Sequence, residues 1–515
     1  MNLHSTKNFS FYFLLFLLSV VFLTSLNLIS LTDPILVQHG WRQSHNALNV
    51  FYIIENGFSL NYETPNYGEP WSVPHEFPIY HWFVSILTII FDMPITYMGR
   101  LVSLIFGLIT CIPIYYSLIK LNFSKNIVFL CLSLFLSAPS YIYWSGTFMI
   151  ETAALFFTSC FIFFIIKILK NECSFITFSC LTLFLSLALL QKITTAFPAM
   201  LVSSLILLIY FIKTKSFKNN YKLVFKIIVS FGIANLVSLL WFIYADHLKS
   251  MNPLMSGLTL ENSIHWFFGK FSDKFSSQLW LGTIFEGTII PNSGMFIGFL
   301  SFTYLIFKNK NKNLQIIIFC LLLFFLMPFF VHTRVHINHK YYQVANLVFW
   351  SIISGISIDF YFKKYLKIRD TYYYALLIFV LIVNYAFFFH KYFFHPKSQI
   401  GIQQERTLLL GEFIKKNTKK NKPIVIFGYG GSSTLTFYSE RKALSVNSPA
   451  LRIEVIQNPE KYFTKLPSAY ILCPPLNSKG EIINEYDIEE IKKNILNKNL
   501  GFKSIKKLDC EIIYQ

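Results

Sequence analysis

The chain has 515 residues, of which 54% are hydrophobic and only 14% charged, and its mean hydropathy is +0.50. A soluble chain of this length cannot cover that much apolar surface, so the composition excludes a soluble enzyme and reads as a polytopic helical membrane protein. The net charge of +19 does not point to nucleic acid, because many of the lysines fall in short loops between apolar runs, where positive charge marks the cytoplasmic side of a membrane.

The first apolar run, Phe9–Leu31, is long enough to cross a bilayer, which takes about 20 residues, and it lacks a small-residue cleavage site; it reads as a retained helix. Further spans are expected near 96–119, 127–145, 148–167, 174–190, 193–212, 223–245, 290–307, 314–331, 342–359 and 372–394. Basic clusters at Lys120/Lys125, Lys167/Lys170, Lys213–Lys226, Lys308–Lys312 and Lys363–Arg369 then all fall on one side. Taken as cytoplasmic, they place the N-terminus inside and residues 396–515 outside. The run Ile79–Phe91 is too short to span and would invert every later loop if it did. It reads as a helix lying at the interface, with Tyr80 and Trp82 at headgroup level.

Beyond about residue 398 the composition turns Lys- and Glu-rich. Helix-like Thr407–Lys416, strand-like Pro423–Phe427, helical Ser433–Arg441, strand-like Ala469–Cys473, helical Asp487–Leu496 and strand-like Cys510–Tyr514 alternate, which predicts a small α/β domain with a mostly parallel sheet. The turn Gly428-Tyr-Gly-Gly431 resembles a nucleotide-binding turn but lacks the full glycine pattern, and a simple tight turn is the plainer reading. Most cysteines lie in or beside apolar spans and behave as small hydrophobes. Cys473 and Cys510 sit on two tail strands and are placed to pair in an oxidising compartment if geometry allows. The expected fold is therefore an all-α membrane domain of about 11–13 transmembrane helices over residues 1–395, with interfacial helices in its first external loop, and an external α/β domain over 396–515.

The polar interval Thr32–Phe77 is too rich in charges and aromatics for a connector. It holds His39, Arg42, His45, Glu55, Glu63, Glu69, His75 and Glu76 among its tryptophans. The run Gly40-Trp-Arg-Gln-Ser-His45, the downstream Glu55-Asn-Gly57, the box Glu76-Phe-Pro-Ile-Tyr80 and Phe148-Met-Ile-Glu151 follow one another in order, with Gln191-Lys192 and His339-Lys-Tyr-Tyr342 beyond. Together they resemble bacterial members of the protein-mannosyltransferase-like branch of the GT-C glycosyltransferases, a group related to lipid A aminoarabinose transferases and protein O-mannosyltransferases. The resemblance covers roughly residues 9–395. It implies a multi-pass enzyme of the bacterial inner membrane that transfers a sugar from a polyprenyl-phosphate carrier, with inversion at the anomeric carbon. The acceptor is a glycan, lipid or protein of the cell envelope, and membrane lipids surround the spans. Such relatives carry an acidic residue early in the first loop. Here Arg42-Gln43 occupy that place, and no acid lies between Asp33 and Glu55.

The chemistry asks for a base to take the acceptor proton and for cations to receive the leaving phosphate. Glu76, Glu151 and His45 are the candidate bases. Arg42, Lys192, Arg334, His336, His339 and Lys340 are the candidate phosphate ligands, Arg because its planar fork bonds phosphate bidentately. Trp41 and Tyr80 are candidates to stack on a sugar. No metal-ligand spacing is evident, although His75 and Glu76 leave a divalent ion open. Bland readings stand beside these: Glu76 as a helix cap, Glu151 as a carboxylate at a helix N-terminus, Arg42 in an ion pair with Glu55 or Glu76, and the tryptophans as interfacial anchors. A transporter or flippase for a lipid-linked glycan, or an inactive assembly subunit, is the competing reading. The near absence of acids from the spans favours the enzyme over a charged transport path.

Overall fold

The computed structural model of the chain describes residues 3–213, 221–394, 401–446, 448–476, 482, 487–498 and 501–515. Residues 214–220 of the predicted basic loop and the predicted domain boundary at 395–396 lie outside the described residues. Among the described residues, eight helices are long and apolar enough to cross a membrane. A ninth candidate is a bent pair, Lys125–Leu136 and Pro139–Ser145, with an angle of 66°. The bend falls at Ala138, held extended because the following proline disfavours helix at the residue before it. Phe175–Gln191 and Phe296–Lys308 are shorter apolar helices. The expected span at 290–307 starts only at Phe296, because Gly294 and Met295 both take positive φ (61° and 55°) and turn the chain there. Ile79–Phe91 is a helix of 13 residues, as expected, with one face buried and Phe83, Ile86, Ile89, Ile90 and Phe91 exposed. That one-sided apolar surface suits a helix lying in an interface.

The chain forms two compact units. The first comprises Met1–Leu31, Arg100–Trp241 and Ser263–Phe393. Its core gathers Phe135, Tyr141, Trp144, Phe325, Phe329 and Trp350. Small residues let its helices approach closely, as expected where lipid removes the usual hydrophobic drive: a Cβ on Gly355 would lie 2.7 Å from Cys131 Sγ. Some buried polar groups are satisfied across helices. Tyr141 Oη donates to the Gly107 carbonyl at 2.8 Å, and Asn384 accepts from Gly294 N at 2.9 Å while donating to Ser137 Oγ at 3.1 Å.

The second unit comprises Thr32–Gly99, Phe242–Asn262 and Phe394–Gln515. Its sheet has the order β2-β1-β3-β5-β4, with β1 Ile424–Phe427, β2 Ala443–Ser445, β3 Ala469–Leu472, β4 Lys503–Lys507 and β5 Cys510–Tyr514. The sheet is only half parallel, in contrast to the mostly parallel sheet expected. β2, β1 and β3 run parallel, but β5 pairs antiparallel with both β3 and β4. The difference comes from the β4–β5 hairpin, whose turn is made by Leu508 at φ 56°. β4 reads Lys-Ser-Ile-Lys-Lys and is exposed along its whole length, a charged edge that discourages further strand pairing. A disulfide joins Cys473 to Cys510 across neighbouring strands.

The polar interval of the first loop packs onto this sheet. Tyr67 bridges Leu444 of β2 in antiparallel sense, while Ala443 N donates to the Pro65 carbonyl and Ser445 N to that of Asn66, both at 3.0 Å. The Asn66 side chain donates to the Gly431 carbonyl at 2.8 Å and accepts from Thr436 Oγ1 at 2.6 Å. Buried Asn252 donates to the carbonyls of Tyr67, Gly68 and Pro70 and accepts from the amides of Leu254 and Met255. A buried amide with its donors and acceptors used this fully fixes the loop's path.

Candidate functional site

In the second unit, helix Gly40–Asn56 starts after His39, a non-glycine residue at φ 54°. Its buried face is unusually polar and includes Arg42, Gln43, His45, Asn46 and Asn49. Such a face requires partners, since burying polar groups without hydrogen bonds is costly. Asn49 accepts from Thr64 Oγ1 at 2.8 Å, and Asn46 Oδ1 lies 3.3 Å from His81 Nε2. Arg42 forms an ion pair with Glu76. Glu76 is positioned from behind by Tyr62, whose Oη donates to the Glu76 carbonyl at 2.8 Å and accepts from His75 N at 3.1 Å. Burial and the adjacent Glu76 push the Tyr62 phenol well above its ordinary range, so it stays a neutral hydroxyl.

The imidazoles around this pair are neutral. Burial, then the neighbouring His75 and the Arg42 guanidinium, hold His45 well below the ordinary histidine value. Burial and Lys249 lower His75 to about 4, and burial lowers His81 to about 4. The ring centroids of His45 and His75 are 4.9 Å apart. The site thus combines one carboxylate, one guanidinium and three uncharged rings.

In the first unit, Glu151 opens helix Glu151–Leu169 and is buried. The turn before it is fixed by Ser103, whose Oγ donates to the Met149 carbonyl at 2.8 Å and accepts from Met149 N at 3.4 Å. Lys192 sits between helices Phe175–Gln191 and Ile193–Lys213 in extended conformation (φ −161°). Its carbonyl accepts from the amides of Thr195 and Ala196, so this break starts the second helix. Its ammonium pairs with Glu151 and lies 3.9 Å from the Tyr342 ring centroid and 5.0 Å from that of Tyr341. A partly desolvated ammonium over two aromatic faces is a favourable cation–π arrangement.

Nearby, His332 and His336 are buried at the end of helix Lys312–Val331 and in helix Thr333–Asn338. Burial, then Lys274 and Lys192, lowers His332 to about 3; burial, His332 and Lys192 hold His336 well below its ordinary value. Lys274 donates to the carbonyls of Phe268 and Phe330 and to Thr333 Oγ1. Two ammonium groups, Lys274 and the Glu151-paired Lys192, therefore lie close enough to act on two neutral imidazoles.

Two pairs of candidates are thus brought together: Arg42 with Glu76, and Lys192 with Glu151. Of the expected basic cluster, His336 is buried and His339 half-buried, while Arg334 and Lys340 are exposed. His339 lies beside Tyr341 and Trp266, with ring centroids 5.4 and 5.6 Å away. Trp41 is exposed. Tyr80 requires a correction. Its ring is fully buried and its Oη donates to the Gly99 carbonyl at 2.6 Å, so it neither stacks on a sugar nor reaches a headgroup; the helix turns that face into the protein. No group of three or more His, Cys, Asp or Glu side chains able to hold a metal occurs among the described residues. His75 and Glu76 do not fit one, since His75 Nδ1 lies 3.2 Å from the Val73 carbonyl and Glu76 holds Arg42. Sequence reasoning missed Tyr62, His81 and Lys274. Tyr62 and Lys274 act through partners distant in sequence, and His81 lies in a run that reads as a helix at the membrane interface.

No family model and no curated protein matches the sequence. Solved structures do match. ArnT from Cupriavidus metallidurans bound to undecaprenyl phosphate aligns with a TM-score of 0.63 at 12% identity, over 96% of this chain and 97% of that one. The oligosaccharyltransferase of Archaeoglobus fulgidus in its apo form aligns with a TM-score of 0.57 at 10% identity, over 89% of this chain and 69% of that one. AglB from the same organism, in complex with an inhibitory peptide and a dolichol-phosphate, aligns with a TM-score of 0.53 at 9% identity, over 92% and 70%. These likenesses establish the fold, which is that of the GT-C membrane glycosyltransferases.

Proposed function

We propose that this protein transfers a sugar from a polyprenyl-phosphate carrier to a cell-envelope acceptor on the outer face of the bacterial inner membrane, with inversion at the anomeric carbon. The observation that carries the reading is the polar group in the first unit, Lys192 paired with Glu151 over Tyr341 and Tyr342, with His332, His336 and Lys274 beside it. Two structural neighbours with the same fold hold undecaprenyl phosphate and dolichol-phosphate. Charge for a lipid phosphate comes here from Lys192, Lys274, Arg334 and Lys340, while the imidazoles of His336 and His339 supply hydrogen bonds. The Cys473–Cys510 disulfide supports an oxidising compartment for the tail.

The acceptor hydroxyl oxygen attacks C1 of the donor sugar and gives its proton to a carboxylate. The C1–O bond to the phosphate breaks, and polyprenyl phosphate leaves with the electron pair. Glu76 is the base we favour, because its side chain is 20% exposed against 4% for Glu151; an acceptor has to reach the group that takes its proton. His45 is neutral, as a base requires, but fully enclosed. The test is transfer by the purified protein from synthetic undecaprenyl-phosphate sugars to envelope extracts, read as release of undecaprenyl phosphate. Glu76→Gln is expected to lower turnover by about 10²–10⁴ with donor binding intact. Full turnover in Glu76→Gln together with a dead Glu151→Gln or His45→Ala moves the base to that residue. Absence of donor consumption by the wild type refutes the reading.

A further inference from the structure

A cleft of about 780 Å³ opens in the second unit between the segment Leu36–Trp41, residues Gln404 and Thr407, and the turn Tyr429–Thr434. The turn is the Gly-Tyr-Gly-Gly feature that follows β1. Gly428, Gly430 and Gly431 all take positive φ (84°, 56° and 79°), which keeps the chain looped beside the cleft with little side-chain bulk. A Cβ on Gly430 would meet no atom within 4 Å. The loop is braced, with Ser432 N donating to the Tyr429 carbonyl at 2.9 Å and Asn66 Nδ2 to that of Gly431.

The lining selects among ligands. Among the described residues that line the cleft, none is Asp, Glu, Lys or Arg, although the chain as a whole carries a net charge of +19. Arg406, 5.2 Å from the Tyr429 ring centroid, is paired with Asp509 at 2.7 Å. A nucleotide or other phosphate ligand would find no lysine or arginine in this lining, only the imidazole of His39. The lining offers instead the amides of Gln38 and Gln404, the hydroxyls of Thr407, Ser432 and Thr434, and the indole of Trp41. Trp41 is 43% exposed. Neutral donors and acceptors beside an aromatic face suit a ligand that is itself uncharged, rich in hydroxyls, and apolar on the C–H faces of its rings.

We infer that this cleft binds an uncharged oligosaccharide, and hence that the acceptor of the proposed transfer is a glycan chain seated on the tail domain; this second step rests on the reading in the preceding subsection. The test uses the full-length protein in nanodiscs with chitopentaose, maltopentaose and mannopentaose, and pentagalacturonate as the acidic counterpart. Binding is read by saturation-transfer NMR and calorimetry. At least one neutral pentasaccharide is expected to bind, and Trp41→Ala is expected to weaken it about tenfold. Gly430→Asn is the second variant: asparagine tolerates positive φ and its side chain projects into open space, so it obstructs the cleft without refolding the turn. Failure of all three neutral sugars to bind, binding indifferent to both variants, or equal binding of pentagalacturonate would overturn the inference. Consumption of undecaprenyl-phosphate sugar is measured in parallel. Donor turnover without saccharide binding condemns the cleft alone, and saccharide binding without donor turnover condemns the transfer reading alone.

Discussion

Lys192 Nζ and Glu151 Oε1 form an ion pair whose side chains are only 7% and 4% exposed. One partner lies in the break between two helices and the other opens a third, so the pair ties three helices together. Removing one member leaves a buried charge, which costs about 3–5 kcal/mol, whereas replacing both with uncharged residues of similar size is often close to neutral. Lys192→Met should therefore lower the unfolding temperature sharply in detergent, and Lys192→Met with Glu151→Gln should recover most of it. Sugar transfer should stay low in both, because the cation is absent. A double variant with wild-type turnover would confine the pair to a structural role.

Tyr62 carries the second prediction. Its hydroxyl is the clamp on the backbone of His75 and Glu76. Tyr62→Phe leaves a buried amide and carbonyl short of a partner, at a cost of about 1–3 kcal/mol. Turnover should fall while donor affinity is unchanged, since the carboxylate loses its position and the bundle is untouched. Equal losses in turnover and donor affinity would show that the clamp serves overall folding.

The buried histidines set a pH dependence. Folded His81 and His45 have depressed values, so the unfolded chain binds more protons than the folded one at mildly acidic pH. Their contribution is complete above the ordinary histidine value of 6.5 and is lost as pH falls from there toward the folded value, about 4 for His81. Each histidine contributes a slope of about 1.4 kcal/mol per pH unit within that window. Thermal unfolding from pH 7.5 to 4.5 should show stability flat above 6.5 and falling below it. His81→Gln should make the fall shallower by one group's share, since His45, His75, His332 and His336 keep theirs; an unchanged slope would place the titration elsewhere.

The disulfide gives a test of sidedness. In a variant that keeps only Cys473 and Cys510, an impermeant maleimide should label intact spheroplasts only after an impermeant reductant. Labelling that needs permeabilised membranes would put the tail in the cytoplasm. Replacing both cysteines with serine should cost about 2–5 kcal/mol of stability in the tail.

Much of this was legible from the chain. Hydropathy located the long spans, because crossing a bilayer demands an unbroken apolar run. The alternating tail located β1, β3 and β5, whose sides are both covered. β4 escaped because Lys-Ser-Ile-Lys-Lys has the composition of a solvated loop, and only its hairpin partner makes it a strand. The Lys192–Glu151 pair escaped for a different reason: the two are 41 positions apart, a separation at which no local pattern reports contact, whereas Arg42 with Glu76 was one of the two pairings that the sequence left open. Tyr80 misled because an aromatic at the start of a short apolar helix looks the same in sequence whether it faces headgroups or a neighbouring carbonyl.

The pairing of the first loop with β2 has a consequence for how the molecule comes into being. Asn66 and its partner Thr436 are 370 positions apart. At ordinary translation rates roughly 20–75 s separate their emergence from the ribosome. Throughout that interval the loop has been delivered but has no sheet to lie on, and its buried amides and imidazoles must wait in water or with a chaperone. A ribosome that stalls after the last span, Asp370–Phe394, and before β1 leaves the spans made and the first loop without the sheet it packs on.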